Sequence, residues 1–285
     1  MPETYSTLKH NSLVVNAFNG LMNRRTKKVD GYVFVATTGR SGSESLARIF
    51  GAADRAITMH EPAPVMFSDY PDPEIKVEYF RKLFFTKKRI HIKRLAAGHR
   101  YYVETNHQFL KNFIDFAVEE FGDKLRIIHM YRDPVKVASS FFSINSIPGT
   151  TDVGKTYLLY PVHKDNRIQI SDLLMGSPEF DHDLYKCLWY WYEIQTRVKE
   201  YKEKYPAVRW HTMQTDQLND ESSLQTMFDS LKIAYDPAKL KDLVGSRVNV
   251  KTELKKKKVQ VEEAAEMHQK LLAKMEERYG KDFWK

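Results

Sequence analysis

The stretch YVFVATTGRSGSESLARIF, residues 32–50, joins an apolar run to a helical pattern through a turn that contains two glycines. The run at residues 32–36 is made of aromatic and β-branched residues followed by an alanine, which is typical of a buried strand. Apolar residues then recur at helical spacing over residues 44–50 and predict a helix. The stretch therefore predicts a strand, a tight turn and a helix in succession.

The turn has the composition of an anion-binding loop. Gly39 and Gly42 permit backbone angles that other residues rarely adopt, so that successive N–H groups can point inward. Ser41, Ser43 and Ser45 add hydroxyl donors. Since the N-terminus of a helix also attracts negative charge, we expect this turn to hold a phosphate-like group.

The composition limits the partners and the chemistry. With 285 residues, 42% hydrophobic and 29% charged, the chain can form a globular protein with a substantial core. Its formal net charge of +8 favours acidic ligands, although a solvated basic surface accounts for it equally well. Cys187 is the only cysteine, which excludes an intramolecular disulfide and a cysteine-rich metal site.

Targeting and metal-binding patterns are missing from the sequence. Residues 1–29 do not have the pattern of a signal peptide, and no apolar run reaches the length of a membrane span. We therefore expect a cytoplasmic protein that has neither a membrane nor a nucleic acid as its partner. The histidines show no ligand spacing such as H-E-x-x-H, so we expect no metal.

Predicted strands and helices alternate along the chain. Strands are predicted at residues 32–36, 101–103, 125–132 and 208–213, and helices at residues 44–50, 76–95, 109–121, 135–142, 183–205 and 224–231. An irregular segment that contains prolines is expected at residues 59–72. This order predicts an α/β fold in which helices flank a central parallel sheet.

The domain organisation is predicted to be simple. We find no internal repeat and no low-complexity linker, so residues 1–285 are expected to form a single domain, with residues 1–29 as an N-terminal extension. Residues 143–180 hold scattered glycine, proline and aspartate and are predicted to be a long loop that serves as a substrate lid. Residues 245–285 are expected to contain a basic segment and a C-terminal helix.

A second motif, RIIHMYRDPVKVASSFF at residues 126–142, again predicts a strand, a turn and a helix. Arg132 ends the strand, and Ser140 follows eight residues later on the predicted helix. At that spacing the guanidinium and the hydroxyl can converge on one phosphate. The alternative is a surface ion pair between Arg132 and Asp133.

The two motifs together resemble the sulfotransferases that depend on PAPS, 3′-phosphoadenosine 5′-phosphosulfate. The turn at residues 39–45 is similar to the loop that holds the 5′-phosphosulfate, and residues 126–142 are similar to the segment that holds the 3′-phosphate. The G-x-x-x-x-G-K-[ST] pattern of nucleotide hydrolases and the dinucleotide pattern G-x-G-x-x-G are both absent. The resemblance implies a P-loop-like fold that uses PAPS, releases adenosine 3′,5′-bisphosphate (PAP) and requires no metal.

The resemblance assigns the nucleotide contacts mainly to the two motifs. The implied nucleotide-binding residues are Thr38, Gly39, Arg40, Ser41, Gly42, Ser43, Glu44, Ser45, Arg132 and Ser140, with Arg247 and Lys251 from a basic segment that closes over the nucleotide. Arg40 stands where the family more often has lysine, and it is expected to neutralise charge on the bridging oxygen during transfer. The family's tryptophan after the loop is absent, with Leu46 close to its place, so the residue that stacks on adenine stays open.

Two segments compete to supply the base that takes the acceptor's proton. MHEPAPV at residues 59–65 resembles a stretch of the carbohydrate and tyrosylprotein sulfotransferases and points to Glu61. VETNHQF at residues 103–109 resembles the base motif of the cytosolic members, with His107 one place later than the family histidine. We take Glu61 as the catalytic base, with His60 and His107 as positioning or substitute residues.

The function implied by the resemblance is sulfuryl transfer from PAPS to a hydroxyl or an amine of a small-molecule acceptor, reached through residues 143–180. Four carboxylates favour a cationic acceptor, namely Glu61, Asp69, Asp72 and Glu104. The alternatives are a sulfotransferase acting on a carbohydrate, a kinase-like P-loop enzyme, and a non-catalytic protein that binds anions or nucleic acid. The sequence leaves the acceptor and the oligomeric state open.

Overall fold

A parallel sheet lies at the centre of the protein. In a computed structural model, which describes residue 20 and residues 24–67, 73–244 and 258–285, the sheet has five strands in the order β2-β3-β1-β4-β5. The strands are β1 Gly31–Ala36, β2 Ala56–His60, β3 Tyr101–Thr105, β4 Leu125–Tyr131 and β5 Arg209–Gln214. All four neighbouring pairs are parallel. The predicted α/β fold with a central parallel sheet is confirmed.

Helices connect the strands and cover the sheet. Those between β1 and β4 are α1 Ser43–Ile49, α2 Pro73–Leu83, α3 Arg89–Ala96 and α4 Ile114–Phe121, with π-helical turns at Phe84–Lys88 and Phe109–Phe113. Those after β4 are α5 Pro134–Ser143, α6 Asp152–Tyr157, α7 Ser171–Gly176, α8 Asp183–Lys204, α9 Glu221–Ser230, α10 Pro237–Leu243 and α11 Val261–Tyr279. Because parallel strands need a crossover connection, this alternation keeps every carboxyl end at one edge of the sheet.

The apolar core has two halves, one on each face of the sheet. On β1, Tyr32 and Phe34 belong to the half that α4, α5 and α8 cover, while Val33 and Val35 belong to the half that α1, α9 and α10 cover. Every residue of β1 is buried, as expected for a central strand of a parallel sheet with helices on both faces. Because β1 is packed on both faces, the position of the loop that follows it is fixed relative to the sheet.

The strand order creates a crevice between β1 and β4. The chain leaves β1 toward β2 on one side of the sheet, whereas it leaves β4 toward β5 on the other side. Connections that run in opposite directions leave a gap at the carboxyl ends of the two strands, where ligands bind in open α/β sheets. Both sequence motifs begin at this crevice.

Parts of the predicted secondary structure are wrong. Residues 59–72 were expected to be irregular, but Met59 and His60 belong to β2, a half-buried edge strand that was not predicted. Residues 143–180, expected to be a loop, contain α6 and α7 and a 3-10 turn at Pro178–Phe180. Ile147, Ile168 and Leu174 of this segment are buried in the core. Tertiary packing, and not helix propensity, therefore stabilises its short helices.

Candidate active site

The loop after β1 adopts the strained backbone that its glycines predict. The φ angles of Gly39, Arg40 and Gly42 are +82°, +58° and +86°, all in the left-handed region. Gly42 is the N-cap of α1, and no side chain caps the first turn of that helix. Three left-handed residues within four positions give a backbone that can point successive N–H groups at an anion.

Hydroxyl groups hold the inside of the loop. The Thr38 hydroxyl donates to the Gly39 carbonyl at 2.7 Å, and the Ser41 hydroxyl lies 3.1 Å from Thr38 Oγ1. Both side chains are buried, so these hydroxyls shape the loop from within. Thr37 differs, because its Oγ1 is buried without a hydrogen-bond partner among the described residues. An unpaired buried hydroxyl at the root of a loop is costly unless a ligand or a water pairs with it.

Side chains of neighbouring elements pack closely against Gly39 and Gly42. A Cβ atom on Gly42 would lie 3.1 Å from Leu218 Cδ1, and one on Gly39 would lie 3.5 Å from His107 Nδ1. The Thr215 hydroxyl, just after β5, donates to the Ser41 carbonyl at 2.8 Å. The loop is therefore clamped between the turn after β5 and the histidine after β3.

The second motif meets the first at the crevice. Arg40 Nε donates to Ser140 Oγ at 3.0 Å, and an Arg132 N–H donates to the Arg40 carbonyl at 3.4 Å. Asp133 accepts from the backbone N–H of Lys136 and caps α5, and in the described part of the chain it forms no ion pair with Arg132. The alternative interpretation of Arg132 as a partner of Asp133 is wrong, because the carboxylate serves the helix end.

Helix α8 supports the crevice from below. Trp191 Nε1 donates to the Arg132 carbonyl at 2.9 Å, and the Tyr190 hydroxyl donates to the Thr38 carbonyl at 3.2 Å. Neither residue was singled out from the sequence. Their signal is the run LWYWY at residues 188–192, in which polar-tipped aromatic residues stand where a core helix usually has aliphatic ones.

The three predicted acid–base residues lie together on the other side of the loop. His60 ends β2 and Glu61 follows it, while His107 follows β3. His107 Nε2 lies 3.6 Å from Glu61 Oε1. The backbone of Glu61 has φ +46° and donates to the Thr105 carbonyl at 3.2 Å. His60 Nδ1 is bonded to the Thr105 hydroxyl at 2.8 Å. Two segments far apart in sequence thus form one cluster beside Gly39.

Exposure and charge differ within this cluster. The Glu61 side chain is 37% exposed, whereas that of His107 is 11% exposed. Burial, together with Lys111 and His60, lowers the pKa of His107 well below its ordinary value. His107 is therefore a neutral imidazole at neutral pH.

Lys111 and Tyr157 complete the acid–base side, and sequence reasoning missed both. Lys111 Nζ lies 3.3 Å from His107 Nδ1, and burial lowers its pKa well below the ordinary value. Tyr157, at the end of α6, packs its ring 5.1 Å from the ring of Phe67, which is 42% exposed. An aromatic wall therefore flanks the Glu61–His107 pair.

Some predicted residues are not available at the site. Glu104 forms an ion pair with Lys88 at 2.7 Å, and both side chains are fully buried, so Glu104 does not reach an acceptor. Its selection was wrong because β3 turns this carboxylate inward. Arg247, Lys251, Asp69 and Asp72 lie outside the described residues.

Comparison with known proteins gives neighbours in structure but not in sequence. No protein-family model matches the chain, and no curated protein matches it. Solved structures do match. Three of them are sulfotransferases, the family that the two motifs resemble, and another is a retinol dehydratase solved with PAP.

The similarity to these sulfotransferases extends over most of the chain at low identity. A sulfotransferase domain of the curacin biosynthetic pathway is 13% identical, with a TM-score of 0.46 over 87% of this chain and 98% of that one. A sulfotransferase from Alicyclobacillus acidocaldarius is 14% identical, with a TM-score of 0.44 over 87% of this chain and 95% of that one. A sulfotransferase from Mycobacterium tuberculosis is 11% identical, with a TM-score of 0.47 over 90% of this chain and 81% of that one.

Among the described residues, no group of three or more histidine, cysteine, aspartate or glutamate side chains is placed to hold a metal ion. No helix in the described ranges is both long and apolar enough to cross a membrane.

Proposed function

We propose that the protein transfers a sulfuryl group from PAPS to a hydroxyl or an amine of a small molecule. One observation carries the proposal: the hydrogen bond of 3.0 Å between Arg40 and Ser140 joins the two phosphate motifs at one end of the crevice. At the other end of the same loop, His107 lies against Gly39 and beside Glu61. Anion-binding groups and a proton-accepting pair thus flank one loop, as group transfer from an anionic donor requires.

The residues fit a nucleotide that carries two phosphate groups. The glycine loop offers backbone N–H groups, and the unpaired Thr37 hydroxyl lies at its root. Arg132 and Ser140 supply a guanidinium and a hydroxyl for a second phosphate, within one side-chain length of the loop. Two groups of anion-binding residues, one from each motif, support a nucleotide that carries separate 5′ and 3′ anions.

PAPS supplies an SO3 group whose bond to a phosphate oxygen breaks as the acceptor's oxygen or nitrogen bonds to sulfur. The electron pair of the broken bond stays on that phosphate oxygen, and Arg40 neutralises the charge there. Glu61 takes the proton that the acceptor loses. His107, a neutral imidazole next to Glu61, positions the carboxylate and the acceptor.

The acceptor side supports a small molecule with an apolar body. Phe67 and Tyr157 form an aromatic wall next to the Glu61–His107 pair, and the His107 and Tyr157 ring centres lie 6.4 Å apart. With Glu104 buried, Glu61 is the one described carboxylate of the four that remains at this opening. We therefore propose an acceptor with an apolar body, in a cytoplasmic setting.

Calorimetry with PAP tests the nucleotide assignment directly. We expect PAP to bind and to raise the melting temperature, since a ligand that binds only the folded state stabilises it. ATP with magnesium should have a much smaller effect, because it lacks the 3′-phosphate that Arg132 and Ser140 would hold. A folded protein that binds neither would refute the proposal, and one that prefers ATP with magnesium would favour a kinase-like enzyme.

A further inference from the structure

Lys111 contacts His107 of the acid–base pair, Tyr157 of the aromatic wall, and Tyr190, which is bonded to the loop after β1. It belongs to the π-helical turn Phe109–Phe113 and is only 7% exposed. Its Nζ atom lies 2.6 Å from the Tyr157 carbonyl, 3.1 Å from the Tyr190 hydroxyl and 3.3 Å from His107 Nδ1. The three contacts come from three separate segments of the chain.

An ammonium group satisfies all three contacts at once. It carries three N–H donors and no acceptor. The Tyr157 carbonyl is an acceptor, and the distance of 2.6 Å is short, as expected when the donor is charged. The Tyr190 hydroxyl is free to accept because it gives its own proton to the Thr38 carbonyl. With a charged Lys111, His107 Nδ1 is the third acceptor.

We propose that Lys111 fixes the tautomer of His107, so that the ring carries its proton on Nε2, the nitrogen that faces Glu61. This inference rests on the proposed sulfuryl transfer and deepens it. An Nε2 atom that bears a proton has no lone pair with which to accept another. The acceptor's proton therefore goes to Glu61, and His107 keeps its own proton on the nitrogen that lies 3.6 Å from that carboxylate. Lys111 is a positioning residue, because it acts through the ring of His107.

Gln108 is the residue that would favour the other tautomer of His107, with the proton on Nδ1. Its side-chain nitrogen lies 3.2 Å from His107 Nε2, while it also donates to the Tyr157 carbonyl at 3.0 Å. Asn112 donates to the Gln108 carbonyl oxygen, which fixes the orientation of the amide. If Gln108 donated to His107 Nε2, the ring proton would sit on Nδ1 and point at Lys111. Lys111 would then have to be an uncharged amine.

The charges around the lysine set the pH range of the ammonium form. Burial is the largest cause that lowers the pKa of Lys111; Lys76 and Arg197 lower it further, and Glu61 raises it. Among the described residues, His107 and the Tyr190 hydroxyl are in direct contact with Lys111, and the charge of His60 acts on His107. A lowered pKa means that the ammonium loses its proton at a lower pH than an exposed lysine does.

Nitrogen NMR on the wild-type protein tests the tautomer without PAPS or an acceptor. In protein labelled with 15N-histidine, two-bond proton–nitrogen correlations identify which ring nitrogen is protonated, and a His107→Gln sample assigns the signals. We expect the Nε2–H form at pH 7. The Nδ1–H form would overturn the inference, because it requires the Gln108 arrangement. Neither result depends on whether the protein transfers sulfuryl groups.

Kinetics of Lys111→Met test the consequence for catalysis. We expect kcat to fall about tenfold or more, the scale for losing a hydrogen bond to a charged group, with a smaller change in the acceptor KM and unchanged PAP affinity. The wild-type rate should decline at alkaline pH with an apparent pKa below 10.5, and the variant should lack this decline. Lys155→Met, an exposed lysine on α6 near Tyr157, is the matched control and should match wild type. An unchanged kcat in folded Lys111→Met would refute the positioning role.

Discussion

At the scale of single residues, Arg132 is the most direct test of nucleotide binding. Arg132→Ala should weaken PAP binding about tenfold or more, because a hydrogen bond to a charged group is worth about 1.5–3 kcal/mol. Titration calorimetry measures the loss. Lys136→Ala removes an exposed cation from α5, the helix that follows Arg132, and should leave PAP affinity near wild type. Equal losses in both variants would mean that net charge, and not the crevice, binds the nucleotide.

Glu61 tests the chemistry at the same scale. Glu61→Gln keeps the side-chain volume but removes the basic oxygen, so turnover should fall by about 10²–10⁴-fold, the range for losing a general base. PAP affinity should stay unchanged, because Glu61 lies on the acceptor side of the loop. Glu78→Gln, an exposed carboxylate on α2, is the control. Should Glu61→Gln remain active while His107→Ala is dead, the base is His107.

The sequence was more informative about residues with a local pattern than about residues that meet across the fold. The spacing from Arg132 to Ser140 and the order of His60 and Glu61 are local, and the structure brings these residues to one edge of the sheet. Lys111 carries no such signal, because its contacts to Tyr157 and Tyr190 span 46 and 79 residues. Contacts at that separation follow from tertiary packing and not from periodicity.

At the scale of elements, a buried ion pair holds the segment that carries Glu61. Lys88 pairs with Glu104 of β3 at 2.7 Å and donates to the Pro62 carbonyl at 3.1 Å. Tyr102 and Asn106 supply further donors to the Glu104 carboxylate, at 2.7 Å and 2.9 Å. The pair thus ties the residues after β2 to the neighbouring strand.

Breaking this pair should destabilise the fold strongly. Lys88→Met leaves the Glu104 charge buried without its partner, and the free energy of unfolding should fall by about 3–5 kcal/mol. The double variant Lys88→Met with Glu104→Gln should lose less than the sum of the single variants, since no buried charge remains. Urea denaturation measures both. A loss below about 1 kcal/mol in Lys88→Met would be typical of an exposed pair and would contradict the burial.

The strands that were predicted correctly are those whose burial shows as a run of apolar residues in the sequence. The central strands β1 and β4 are buried over almost their whole length and were predicted within one residue. The edge strand β2, with the sequence AITMH, is half-buried and short, and the prolines that follow it favoured a loop. The π-helical turns Phe84–Lys88 and Phe109–Phe113 lie inside helical patterns and leave no separate signal in periodicity.

At the scale of the whole molecule, the strand order explains why the two motifs act as one site. The motifs lie about ninety residues apart in sequence, yet β1 and β4 are neighbours in the sheet, and Ala36 pairs with His129 near their carboxyl ends. The turns that follow therefore face one crevice. The sequence predicted a parallel sheet but not its strand order, which depends on how the helices pack over both faces.

Histidines whose pKa is lowered in the folded protein should make the stability of the whole molecule depend on pH. Burial, with Lys202 nearby, lowers the pKa of His129 from 6.5 to about 4, and its Nε2 is bonded to Gln195 at 2.8 Å. The pKa is lowered in the same direction for His91, His107, His163, His211 and His268. Since the unfolded chain binds these protons more readily, the free energy of unfolding should fall as the pH drops below 6.5.

For His129 the loss should approach about 3 kcal/mol as the pH falls from 6.5 to about 4, since each pKa unit corresponds to about 1.4 kcal/mol. Urea denaturation of wild type and His129→Gln at pH 7.5 and pH 5 measures the effect. Glutamine keeps a polar partner for Gln195 but does not titrate, so the variant should lose less stability than wild type between the two pH values. An identical pH dependence in both proteins would show that His129 does not contribute, and that the acid sensitivity comes from the other histidines or from the carboxylates.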